Sequence, residues 1–166
     1  MKKPLIRIRG VEKNDYQDIK KFISDQSVAR YLTWEAYIDE NKIKEYFNGI
    51  LKQKKYPNET LAIDYNKNVI GTIHFIYRNH GCVQFGFGIL PAYWHKGFGT
   101  AIVKESLKYI ENSLWKKNIK ELWADVNINN KYAIYILLKA GFRLNKKNIQ
   151  TNRDRYILSY EKTKNN

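Results

Sequence analysis

A chain of 166 residues is long enough to enclose one hydrophobic core and short for two, so a single domain over residues 1–166 with one functional cleft is expected. A hydrophobic fraction of 43% with 14% aromatic residues excludes wholesale disorder, and no run approaches the roughly 20 apolar residues of a membrane-spanning helix. Thirty Lys and Arg against sixteen Asp and Glu leave a formal charge of +14, which favours anionic partners such as phosphates, nucleic acid or acidic proteins; the basic residues are scattered rather than clustered, as drift towards a Lys-, Asn- and Ile-rich composition would also leave them.

The chain begins Met1-Lys2-Lys3-Pro4 and alternates at once, without the apolar stretch of a secretory leader. Its one cysteine, Cys82, has no internal disulfide partner. Both features lead to the expectation of a cytoplasmic protein that does not associate with membranes. Residues 5–9 set Leu5, Arg7 and Arg9 against Ile6 and Ile8, the period of a strand, which Gly10 ends. Asn14 or Asp15 can cap a helix to about Ser24 with Ile19, Phe22 and Ile23 inside. Asp39 can cap a second, in which Ile43, Tyr46, Phe47, Ile50 and Leu51 recur until Pro57 forces the end.

Strand patterns then cover residues 60–65, 69–77 and 82–90, joined by short polar separators that favour an antiparallel meander. Pro91 stops the third strand, and Phe98, Ala101, Ile102, Tyr109 and Ile110 mark a helix to about Ser113. Residues 120–126 read as a strand, Asn129 or Asn130 opens a helix closed at Gly141, and residues 142–144 and 155–160 read as a last strand pair before a polar tail at 161–166. The order β-α-α-β-β-β-α-β-α-β-β describes one mixed α/β sheet.

The sharpest chemical signal is His95-Lys96-Gly97-Phe98-Gly99-Thr100, between a strand and a helix. Free amides at a helix N-terminus, a positive dipole end and glycines that admit close backbone approach make a cradle for a diphosphate. Lys96 adds charge, and Phe98 can anchor the helix inward. A tight structural turn is the plainer reading of Gly-x-Gly. A Walker loop is excluded because Lys96 precedes the glycines, and a dinucleotide fingerprint because the third glycine and the later acidic residue are missing.

The run Phe87-Gly88-Ile89-Leu90-Pro91-Ala92-Tyr93-Trp94-His95-Lys96-Gly97-Phe98-Gly99 resembles the acetyl-CoA signature of the GCN5-related N-acetyltransferase (GNAT) superfamily, in the branch that includes ribosomal-protein N-terminal acetyltransferases. Asn130-Lys131-Tyr132-Ala133 with Leu137-Leu138-Lys139-Ala140-Gly141-Phe142 resembles that branch's second block, at the expected distance. Residues 28–35, Val28 to Glu35, resemble its acceptor-side loop. The resemblance implies an α+β fold, a largely antiparallel sheet of about seven strands flanked by four helices and splayed at a cofactor cleft. It also implies acetyl-CoA as cofactor. The backbone of Phe87, Gly88 and Ile89 would pair with the pantetheine arm, amides of His95, Lys96, Gly97, Phe98, Gly99 and Thr100 would hold the diphosphate, and Asn130 would contact the cofactor. A bulge that opens the strands would suit Gly86 or Gly88, which close packing of a helix would equally explain.

The reaction implied is direct attack by a neutral amine on the thioester, with a backbone amide near Ile89 holding the oxyanion. No metal is required, and His74, His80 and His95 lack ligand spacing. Cys82 could carry an acyl group, but a cysteine that opens a strand reads first as filling. Relatives often place an acid where this chain has Gln84, so the candidate general bases are Asp125 and Glu35, either of which a surface ion pair would also explain. The positions of the usual acid for the thiolate hold Ala133 and Leu137, and Tyr135 lies about 140° around the helix from Asn130. Tyr31, Trp34, Tyr37 and Tyr93 are candidates for the acceptor mouth, or for core packing. The acceptor expected is a small-molecule amine or a protein N-terminus, in acidic surroundings if the positive charge is functional, with a monomer or homodimer acting. Two rival readings stand beside it. One is a non-catalytic acyl-CoA sensor, and the other a basic nucleic-acid-binding module, although no nucleic-acid signature is present.

Overall fold

The computed structural model describes residues 4–32, 35–53, 58–78, 81–112 and 119–160. In chain order they form β1 (Arg7–Gly10), α1 (Tyr16–Ile23), α2 (Gln26–Ala29), α3 (Glu40–Lys52), β2 (Asn58–Tyr65), β3 (Asn68–Tyr77), β4 (Cys82–Ile89), α4 (Phe98–Glu111), β5 (Glu121–Asn127), α5 (Lys131–Lys139), β6 (Arg143–Lys146) and β7 (Arg153–Ser159). The seven strands lie in one sheet in the order β1-β2-β3-β4-β5-β7-β6. Every neighbouring pair is antiparallel except β4 and β5, which the α4 crossover makes parallel. Architecture and strand count are those expected from the sequence. The expectation of four helices falls one short among the described residues. The addition, α2, is a single turn capped by Asp25, whose carboxylate accepts from the amides of Ser27 and Val28.

Strand alternation assigns the two faces. Ile73 and Phe75 of β3, Val83 and Phe85 of β4, and Leu122 and Ala124 of β5 pack under α4 and α5. On the opposite face Ala62 and Val69 meet Ile19, Phe22 and Ile23 of α1 and Ile43 and Phe47 of α3. Burying each large apolar side chain supplies about 1.5–3 kcal/mol, so two filled faces hold the sheet between layers. Asp39 caps α3 as expected, by accepting from the Lys42 amide. Asp15 does not cap α1. Its carboxylate accepts instead from the Glu12 amide at 2.8 Å and from Arg9 at 2.7 and 2.9 Å, and Arg9 also donates to Asp64 of β2 at 2.8 Å. The stronger charge-assisted partner outcompetes the helix amides.

Candidate active site

The parallel ladder between β4 and β5 is short. It runs from Cys82↔Glu121 to Gln84↔Trp123 and stops, although β4 continues to Ile89 and β5 to Asn127. Beyond that point the strands part. The cause is not the bulge expected at Gly86 or Gly88, because β3 and β4 stay in register without a shift from Tyr77↔Val83 to Gly71↔Ile89. At Gly71 of β3 a Cβ would lie 2.0 Å from the Gly88 carbonyl oxygen, so only glycine fits this close approach of β3 to β4. At Gly88 a Cβ would stand 3.0 Å from the Phe22 ring of α1, which makes this glycine a packing residue; at Gly86 a Cβ would meet nothing within 4 Å.

Alternation also decides where the amides of β4 point. Gly81 accepts from the Lys120 amide next to β5, and Leu90 donates to Ile70 of β3. Odd-numbered residues therefore turn their N–H groups towards the β5 side, and Phe87 and Ile89 do so where no strand stands opposite. The Ile89 carbonyl accepts from the Trp94 indole at 2.8 Å, which fixes the end of the strand and leaves the Ile89 amide as the donor on that edge.

A cavity of about 600 Å³ occupies the gap and is lined from both faces of the sheet. Phe87, Ala124 and Ile136 line it on the α4–α5 side, and His74, Gly86, Asp125 and Arg153 on the α1–α3 side. It is a passage through the sheet.

Above its α4–α5 end lies the turn before α4. His95 has φ +57° and Gly97 has φ +83°, two left-handed residues either side of Lys96. Such alternation turns successive amides towards one side, as anion-binding backbone nests require. Among the described residues, a Cβ at Gly97 would come within 4 Å of Pro4 alone, at 3.7 Å. His95 and Gly99 line the cavity, while Lys96, Gly97 and Thr100 lie exposed around its rim. Lys96 folds back and donates to the Ala92 carbonyl at 2.7 Å. Phe98 points inward as expected, against the rings of Tyr65 at 4.8 Å and Tyr93 at 5.1 Å. Gly99 also has a packing role, because its Cβ would come within 2.5 Å of Ile136 of α5. Asn130 caps α5 by accepting from the Ala133 amide at 3.1 Å, and it lines the cavity.

On the α1–α3 side Tyr31 and Tyr37 line the cavity, as does Tyr93, whose ring is also committed to packing on Phe98. Trp34 lies outside the described residues. Asp125 is in the cavity wall, but both its oxygens accept from Arg155, at 2.8 and 3.0 Å, and that guanidinium lies 3.8 Å over the Trp123 ring. These hydrogen bonds, donated to Asp125, hold the Arg155 pKa above its ordinary value. Glu35 is exposed and is not a lining residue. Tyr135 is exposed, 56% accessible, consistent with its place on the helix. Gln84 lines the cavity and accepts from Arg78 at 2.8 Å.

Two polar lining residues carry no motif. His74 faces the cavity from β3, and Arg153 reaches it from β7, where its two terminal nitrogens donate to the carbonyls of Asp125 at 3.2 Å and Tyr31 at 2.8 Å. The period of two already puts His74 on the face opposite Ile73 and Phe75; nothing local predicts that β7 lies beside β5. Among the described residues there is no cluster of three or more His, Cys, Asp or Glu arranged to hold a metal ion.

Solved structures share this arrangement. The spermidine N-acetyltransferase from Vibrio cholerae in complex with CoA and spermine superposes with a TM-score of 0.78 at 19% identity, over 93% of this chain and 95% of that one. An acetyltransferase of the GNAT family from Bacillus anthracis gives 0.72 at 20%, over 94% of each chain. A domain from Methanocaldococcus jannaschii gives 0.73 at 18%, over 93% and 98%. At such identities the likeness establishes the fold. No curated protein matches the chain significantly in sequence. The model of the acetyltransferase (GNAT) domain matches residues 6–143, most of the chain, and the protein therefore belongs to the GNAT acetyltransferase family.

Proposed function

We propose that the protein transfers the acetyl group of acetyl-CoA to a primary amine, of a small molecule or a protein N-terminus, by direct attack in a ternary complex. The observation that carries this reading is the passage between β4 and β5, which joins an anion-binding turn on one face of the sheet to an aromatic chamber on the other.

The residues present suit the cofactor. The turn from His95 to Thr100 offers amides, a glycine at 97 and the N-terminus of a 14-residue helix to a diphosphate. The β4 edge offers the Phe87 and Ile89 amides to an amide-bearing arm, as an added strand would use them. Bound acetyl-CoA supplies an activated acyl carbon and a stable thiolate leaving group. The Ile89 amide is the donor that would be available to an acyl oxygen on which negative charge grows, and a fixed donor of that kind is worth on the order of 3 kcal/mol. Asn130 sets the first turn of α5 against the same cleft.

The amine enters from the α1–α3 face and must arrive neutral. Arg153 disfavours an ammonium there, so the surroundings lower the amine's pKa without a dedicated base. Asp125 serves in this reading by holding Arg155, and Glu35 takes no part. A second reading, a non-catalytic acyl-CoA sensor, draws on the same observation that no carboxylate stands free in the cavity wall among the described residues.

Two measurements separate them. Acetyl-CoA is expected to raise the melting temperature of the wild type, and Gly97→Val to remove that rise, since the branched residue strains φ +83° and covers the amides. With amines added, thiol release is expected. An unchanged cofactor response in Gly97→Val would contradict the cofactor site; a cofactor response without turnover of any amine would make the protein a sensor.

A further inference from the structure

The acceptor chamber has an unusual charge balance for a site that takes amines. Asp125 is the sole carboxylate that lines the cavity among the described residues, and Arg155 already neutralises it through two hydrogen bonds. Gln84 and the tyrosines Tyr31, Tyr37 and Tyr46 are uncharged there, and burial keeps the His74 imidazole neutral, with its pKa pushed down to about 4. Arg153 remains. It is half-buried, and among the described residues it pairs with backbone carbonyls and no carboxylate. Two of the five N–H groups of a guanidinium are used, which leaves three donors in a fixed fork.

A guanidinium partly withdrawn from water is costly when no carboxylate bonds to it, and burial lowers the pKa of Arg153, while the nearby charge of Asp125, itself bonded to Arg155, acts in the opposite sense. An incoming anion relieves that cost and meets the fork geometry that carboxylates and phosphates fit. A polyamine gains nothing here, because its second ammonium would meet a cation and one carboxylate already taken.

We propose that the acceptor is a primary amine that also carries an anionic group, most simply a carboxylate, and that Arg153 binds this group while the tyrosines enclose the body of the molecule. This rests on the acetyltransferase reading and narrows it. Arg153 is placed for the task because it bridges β5 and the segment after α2, the two walls between which an acceptor must lie. The +14 net charge adds a long-range attraction for such acceptors.

Matched acceptors test it by thiol release in the presence of acetyl-CoA: tyrosine against tyramine, a peptide amide that begins Ser-Glu against one that begins Ser-Gln, and spermidine. The expected result is a kcat/KM at least tenfold higher for the carboxylated member of one pair, with spermidine poorest. The first pair would identify a free amino acid as the source of the anion, and the second a protein terminus. Arg153→Gln is expected to lower kcat/KM for the carboxylated acceptor at least tenfold more than for its partner, mainly through KM, and Arg153→Lys to restore part of the difference. Equal losses for both members would mean that Arg153 only supports the fold, and would overturn the proposal. So would preference for spermidine, or turnover of no acceptor. Turnover without carboxylate preference leaves the acetyltransferase reading standing and removes this one; loss of the acetyl-CoA melting response in the wild type removes both.

Discussion

His74, buried on β3, departs from the chemistry of a histidine in solution. Its Nδ1 lies 3.2 Å from the Thr60 hydroxyl and its Nε2 3.2 Å from that of Thr72, so both ring nitrogens are engaged while burial pushes the pKa down to about 4. An unfolded histidine titrates near ~6.5. Between these values the unfolded chain binds a proton that the native protein refuses, so stability increases with pH across the window and is lost as pH falls from 6.5 towards 4. Chemical denaturation measured from pH 7 to pH 4 is expected to show that loss, and His74→Gln to flatten it. A His74 ring titration above pH 6 by NMR would contradict the account. What could be read in advance at this scale was local: Gly97 and Asn130 announce a turn and a cap through residue type and neighbours. Arg153 was not legible, because its partners lie on β5 and after α2 and only the β5–β7 pairing brings them together. Asp125 was legible as a carboxylate near the cleft but not as the partner of Arg155, for the same reason.

At the scale of elements, the helix that follows the turn at 95–97 packs on α5 through a glycine. Replacing glycine by alanine inside a helix ordinarily stabilises by up to about 1 kcal/mol. At Gly99 the new Cβ would press to 2.5 Å from the Ile136 Cδ1, the far end of a buried side chain that must turn aside, and this offsets the gain. Gly99→Ala is therefore expected to stabilise by less than that in urea, and Ile136→Val, which removes Cδ1, to cost less in its presence than alone, a coupling that a double-mutant cycle reads directly. Additive effects would mean that the two helices are not in register at this point. Most elements follow from periodicity and caps: the β2–β3–β4 meander, α3 behind Asp39, and α5 between Asn130 and Gly141. The short α2 escaped notice because one turn offers no period to detect. Asp15 does not cap α1 because Arg9, on β1, claims its carboxylate.

For the whole molecule, the parting of β4 from β5 is what turns a sheet into an enzyme's scaffold. Two faces, each with its own core, both border that gap. The motif predicted a cleft; the close approach of β3 to β4 at Gly71, on a neighbouring strand and outside the motif, it did not. Alternation along β4 gives the central claim a sharp signature. The amides of Phe87 and Ile89 face the gap, whereas those of Gly86, Gly88 and Leu90 face β3. Amide hydrogen exchange followed residue by residue, with and without acetyl-CoA, tests it most directly. Added cofactor is expected to slow exchange at Phe87, at Ile89 and through residues 95–100, and to leave Gly86, Gly88 and Leu90 nearly unchanged. Uniform protection along β4, or none at Phe87 and Ile89, would contradict it.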